Sequence, residues 1–122
     1  MKMLQVSKNG ELLFRAGLAD SYFLRLRGLI GRDVAAMGGL LIMPCSQIHT
    51  CFMSCKIDAV YLSKDNRILS IAPALKPGRF FKSVRHARSV LELPAGAAEG
   101  NSLKPGDKLD FTSGIRLAQN TI

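Results

Sequence analysis

The chain has 122 residues, enough for one domain with a real core and no need of covalent staples. It is 48% hydrophobic and 21% charged, which excludes a disordered chain. Seventeen Lys and Arg against nine Asp and Glu give a net charge of +8; this favours anionic partners at long range but equally describes a plain basic surface.

Three cysteines is an odd count, so a complete intramolecular disulfide framework is excluded. The thiols read as core filler of a reducing-compartment protein. The opening MKMLQVSKNGELLF lacks the apolar core of a secretion signal, and no window approaches the roughly 20 apolar residues of a membrane span. These features predict a cytoplasmic protein with no membrane span, unless a signal peptide precedes Met1.

In chain order, Met3–Val6 and Glu11–Phe14 are short apolar-rich runs separated by Lys8-Asn9-Gly10, which predicts a β-hairpin. Asp20 is a candidate N-cap, and Tyr22, Phe23, Leu26, Leu29 and Ile30 follow at helical spacing until Gly28 and Gly31 end the run. Gly39–Met43 is a bounded apolar run, read as a strand buried on both faces and stopped by Pro44. Ile48–Ser54 is expected to be extended, and Ile57–Leu62 is the clearest strand. The polar turn 63–66 leads to a partner strand at Arg67–Ala72. Pro73–Ser83 reads as a loop, and Ser89–Leu93 as a strand with alternation. Pro94–Glu99 reads as a short helix with Pro94 in its first turn. Lys104–Asp107 is a tight turn, Lys108–Thr112 the closing strand, and 113–122 a tail. Residues 1–112 are thus expected to form one domain. Its class is α+β and β-rich: a compact open barrel or sandwich of about six or seven short strands, with one early helix and one short late helix.

Six fragments occur in a familiar order: Arg27-Gly28-Leu29-Ile30-Gly31-Arg32; Gly39-Leu40-Leu41; Ile48-His49-Thr50 with Phe52-Met53; Ile57-Asp58 with Val60-Tyr61-Leu62; Val90-Leu91-Glu92-Leu93-Pro94-Ala95-Gly96; and Gly106-Asp107. Together they resemble domain of unknown function family 192, also called uncharacterised protein family 0127, over about Ala19 to Phe111. The resemblance implies a compact β-rich fold with a helix carrying the first Arg-Gly-Leu block, and no activity. It gives Arg27, Gly28, Gly31, Arg32, Glu92, Gly96, Gly106 and Asp107 as structural motif residues. The family pattern has apolar or aromatic residues in place of Cys51 and Cys55, and often proline in place of Lys56. The two cysteines therefore look like small apolar replacements.

The densest chemistry lies in Pro44–Leu62. On a strand, His49, Cys51, Met53 and Cys55 would project to one side, and imidazole, thiolate and thioether suit copper(I) or zinc. Alternate residues on a strand, however, are about 6.6 Å apart. Four cannot reach one ion with bonds of about 2.0–2.3 Å, so a lining of core or cleft is the stronger reading. His49, Cys51 and Met53 remain the metal candidates, and no cofactor is expected. Asp58 opens an apolar strand and needs hydrogen-bond partners if buried. These could be backbone N–H groups or Arg27; alternatively Asp58 could orient His49 in a cleft. A cysteine nucleophile beside His49 lacks any supporting context, and phosphate-binding glycine loops are absent.

The most basic section holds Lys76, Arg79, Lys82, Arg85, His86 and Arg88 within 13 residues, with Phe80 and Phe81. Cations and exposed rings could bind a single-stranded nucleic acid, although such runs are usually solvated faces. The leading expectation is a non-catalytic ligand-binding or accessory protein, a monomer with a cleft near His49, Thr50, Met53 and Asp58 and a ligand the sequence does not identify. The alternatives are a metal-binding protein or hydrolase-like enzyme using His49, Asp58 and a cysteine, and anionic-polymer binding through 76–88. An enzyme is the weaker reading.

Overall fold

In a computed structural model the residues described are 2–20, 38–45, 56–76 and 83–113. Strands from both ends of the chain share one mixed sheet. In chain order these are β1 (Lys2–Lys8), β2 (Glu11–Ala19), β3 (Leu40–Ile42), β4 (Ile57–Leu62), β5 (Ile68–Leu75), β6 (Ser89–Pro94) and β7 (Asp110–Ser113), with α1 (Ala97–Gly100) between the last two. The order across the sheet is β5-β4-β6-β3-β2-β1-β7. β2 and β3 pair in parallel, and the other neighbours are antiparallel.

The β1–β2 hairpin forms because Asn9 and Gly10 both take positive φ, 54° and 81°, as a two-residue turn matched to strand twist requires. Both strands run longer than their apolar runs suggest. Register continues from Lys8↔Glu11 back to Lys2↔Leu18, and pairing with β3 holds the far end of β2. β3 and β4 are buried along their whole length, since each lies between two strands and both sheet faces are covered. One face gathers Val6, Ala16, Leu41, Val60, Leu62, Leu91 and Leu93 with Ala98 and Leu103 from the α1 region. The other gathers Leu40, Ile42, Ile57, Ala59, Tyr61 and Val90.

The two sheet edges meet at one end. Arg67 on the approach to β5 bridges Lys108 on the approach to β7. The Ile68 N–H donates to the Asp107 carbonyl at 2.8 Å, and the Leu109 N–H to the Asn66 carbonyl at 3.0 Å. The expectation of a β-rich fold with a short late helix therefore holds. The early helix expected after Asp20, the extended run Ile48–Ser54 and the tail beyond Ser113 lie outside the described residues.

Boundaries later in the chain also differ from the sequence expectation. β5 continues through Pro73 to Leu75 rather than ending at Ala72. Proline is tolerated there because β5 is an edge strand and its outer side needs no N–H donor. Pro94 ends β6 instead of opening the helix, whose N-cap is Gly96 at φ 90°. The closing strand starts at Asp110, with Lys108 left as an isolated bridge to Arg67, so Ser113 belongs to the strand.

Candidate functional site

Asp58 is the second residue of β4 and is 1% exposed. Its alternation partners Val60 and Leu62 place it on the sheet face that also carries α1. Opposite it, β5 carries an extra residue: Ala59 pairs with Ala72, but Ile57 pairs with Leu75. This bulge brings Ala74 to φ 50° and turns its N–H onto Asp58 Oδ1 at 2.9 Å. Oδ2 accepts two more N–H groups, from Gly96 and Ala98, each at 3.0 Å. The short helix has no side-chain cap from its own N-cap residue, and the carboxylate of a distant strand serves in its place. A carboxylate offers about four acceptor positions, and the described residues fill three of them.

A cleft of about 300 Å³ opens beside this carboxylate. Ile71 and Pro73 of the edge strand line it with Ala98, Leu103 and the exposed Glu99.

The opposite face holds a second buried acid. Glu92 pairs with Leu40 on one side and Ala59 on the other, which fixes its side chain among the apolar residues of that face. It is 3% exposed, and its Oε2 has no hydrogen-bond partner among the described residues. Burial pushes its carboxyl up to about 8, so it stays protonated at neutral pH. Tyr61 lies diagonally across from it on β4. Burial raises the Tyr61 hydroxyl, and the neighbouring Cys45 and Glu92 raise it further.

Of the residues expected to form a cleft, Asp58 is described, and it meets backbone donors. His49, Thr50 and Met53 lie outside the described residues, as do the metal candidate Cys51 and the motif residues Arg27, Gly28, Gly31 and Arg32. Among the described residues no group of three or more His, Cys, Asp or Glu is placed to hold a metal ion. Within the basic section, Lys76, Arg85 and Arg88 are exposed, while Arg79 and Lys82 lie outside the described residues. The Arg88 backbone is fixed between strands, donating to the Leu62 carbonyl and accepting from the Cys45 N–H, both at 2.8 Å.

Of the remaining motif residues, Gly106 and Asp107 share one turn. Gly106 takes φ 95° in its turn and donates to the Ile68 carbonyl at 2.8 Å. Asp107 accepts from the Lys104 N–H at 3.1 Å and from the Lys8 ammonium at 3.3 Å. Burial pushes the Asp107 carboxyl up, but those two donors outweigh it and hold it below the ordinary value. Among the described residues no helix is long and apolar enough to cross a membrane. Sequence reasoning missed Glu92 as a buried ionisable group. The available signal was its place in VLEL, beside an all-apolar strand with which it could pair.

The model of the DUF192 family, described as "Uncharacterized ACR", matches residues 4–111. The chain is 29% identical over 114 residues to a UPF0127 protein of Pyrococcus furiosus, covering 89% of this chain and 97% of that protein. It is 32% identical over 112 residues to a UPF0127 protein of Pyrococcus horikoshii, covering 86% and 94%. Its fold is similar to the crystal structure of a protein of unknown function from Novosphingobium aromaticivorans. The TM-score is 0.75 at 22% identity, over 88% of this chain and 83% of that one, a likeness of fold alone.

Proposed function

The chain belongs to the DUF192 family of uncharacterized proteins, and on that premise we propose that it is a non-catalytic ligand-binding or accessory domain whose ligand enters the cleft beside Asp58. His49, Thr50 and Met53 complete the proposed lining. The observation that carries this reading is the state of the Asp58 carboxylate. A general base must present a free acceptor to the proton it removes. Three backbone N–H groups already occupy most of the capacity of Asp58, while a cleft stands open beside it. Such a carboxylate shapes a site more readily than it performs chemistry in it. The proposed protein is a monomer that works in the cytoplasm, an open barrel or sandwich with one early helix.

The test is an amide-shift map of the labelled protein against a panel of metabolites and metals. The expected result is perturbation of the Ala74, Gly96 and Ala98 amides by a compound that is recovered unchanged. A compound recovered chemically altered would make the protein an enzyme, and shifts confined to other amides would move the site. Zinc or copper(I) titration that perturbs His49 would favour the metal-protein alternative.

A second reading, anionic-polymer binding, draws on the exposed Lys76, Arg85 and Arg88 in a chain of net charge +8.

A further inference from the structure

The fold divides the basic section of the sequence and gives one half of it new neighbours. Lys76 follows β5 at the end where Ile57 pairs with both Leu75 and Pro94. Arg88 precedes β6 at the other end, where Leu62 pairs with Ser89. The length of β4 from Ile57 to Leu62 separates the two, about 17 Å at about 3.4 Å per residue. At its own end Arg88 lies beside the turn from β4 to β5. Its N–H donates to the Leu62 carbonyl at 2.8 Å, and the next residue of that turn, Ser63, donates its N–H to the Arg67 carbonyl at 2.9 Å. On its far side Arg67 bridges Lys108. Lys108, Arg67, Ser63 and Arg88 therefore stand in a row across strand spacings of about 4.8 Å, about 14 Å in all. Lys64 is in the turn within this row. Arg85 is in the turn that leads to Arg88, where the Ala87 N–H donates to the Val84 carbonyl at 3.1 Å. Lys64, Arg67, Arg85, Arg88 and Lys108 are all exposed.

Against these five cations, segments 63–67, 83–88 and 108–110 hold two acids, Asp65 and Asp110. Residues outside the described ones bring one acidic side chain to the chain, Asp33, against six Lys and Arg, so they do not reverse this balance. Setting Arg67 directly opposite Lys108 costs stability, as like charges across a ladder do. The Arg67 guanidinium is anchored by donating to the Gly106 carbonyl at 3.1 Å, and a guanidinium has further N–H donors to give. We infer that this end of the sheet, made of the turns 63–67 and 83–88 with Lys108, binds the phosphate backbone of a nucleic acid strand. The inference rests on the anionic-polymer reading above and moves its surface: Arg85 and Arg88 stay, Lys76 leaves, and Lys64, Arg67 and Lys108 join. A helical strand carries one phosphate for about every 3.4 Å of axis, so a row of about 14 Å faces about four of them. An acidic polypeptide would need an unbroken run of carboxylates to match that density. Arginine forks also take phosphate oxygens two at a time.

The test titrates the full-length chain into a fluorescently labelled single-stranded DNA oligonucleotide across a salt series. Lys64→Ala with Lys108→Ala leaves the Arg67 bond to Gly106 in place. This pair is expected to flatten the log–log salt slope by about 1.4, at about 0.7 for each phosphate no longer neutralised. Lys76→Ala is expected to leave the slope unchanged. A slope that responds to Lys76→Ala and not to the Lys64 and Lys108 pair would overturn this surface and leave the anionic-polymer reading standing on the 76–88 run. Polyglutamate that competes as well as the DNA, charge for charge, would overturn the phosphate class in favour of an acidic protein partner. If the parent chain does not bind, or binds with no response to salt, the anionic-polymer reading falls and this surface falls with it.

Discussion

Replacing Glu92 by leucine should stabilise the protein, and by an amount that grows with pH. In the folded state burial pushes the Glu92 carboxyl from 4.5 up to about 8. In the unfolded chain it titrates near 4.5. Between these values the unfolded chain has released a proton that the folded chain keeps, so ionisation draws the equilibrium toward unfolding. The stability is fully present below the unfolded value and is lost as pH rises toward the folded one. Each pH unit is about 1.4 kcal/mol. From 4.5 to pH 7 the loss is about 3 kcal/mol, and from 4.5 to 8 about 5 kcal/mol. Leucine is close in volume and needs no partner at a position where Oε2 has none among the described residues. Urea unfolding of both proteins at pH 5, 6, 7 and 8 measures the effect. The leucine variant should gain about 3 kcal/mol on the parent between pH 5 and 7, then level off above 8. Glu92→Gln serves as the control: it abolishes the titration but keeps a polar group in the same site. A difference between parent and variants that does not change with pH would refute the reasoning, because it would mean that folded Glu92 titrates as an ordinary carboxyl.

Asp58→Ala should destabilise by about 3 kcal/mol or more, since three N–H groups lose their acceptor at once. Hydrogen exchange at Gly96 and Ala98 should speed up more than exchange in β1, and a loss under about 1 kcal/mol would show that water replaces the carboxylate without cost. On the anionic-polymer reading, affinity for single-stranded DNA falls linearly with salt on a log–log scale. Arg85→Ala with Arg88→Ala should flatten that slope by about 1.4, at about 0.7 for each phosphate that is no longer neutralised. Binding indifferent to salt would contradict an electrostatic hold on the phosphates.

Local chemistry made part of this fold legible. Asn9-Gly10 specifies its turn because two successive positive φ angles suit few other pairs, and Ile57–Leu62 needs only its apolar run. What escaped was decided by neighbours. Pro73 reads as a strand breaker until β5 is known to be an edge, and Pro94 reads as a helix opener until β6 is seen to end on it. The alternation of Val90-Leu91-Glu92-Leu93 suggests one polar face. Flanking β3 and β4, with both faces covered, bury that glutamate instead. At the site, backbone N–H partners for Asp58 could be anticipated from the cost of burying a carboxylate. Which groups they are depends on donors 16, 38 and 40 residues away, placed by the bulge in β5 and the turn into α1.

Among the described residues, several motif blocks that carry the family resemblance hold joints of the structure. Asp58 ties β4 to Gly96, Gly106 and Asp107 tie the two sheet edges together, and Lys8 anchors the last of these. A sequence signature made of such joints reports architecture, which explains how it can identify the family while giving no indication of chemistry. Glu92 departs from that pattern. It shares a block with Gly96, yet among the described residues its Oε2 bonds to nothing, and its raised carboxyl predicts a loss of stability at neutral pH. If Glu92→Leu yields a more stable protein of unchanged fold, the glutamate is not there for stability, and the face of the sheet opposite the Asp58 cleft becomes the next place to look for a partner that its carboxyl could meet.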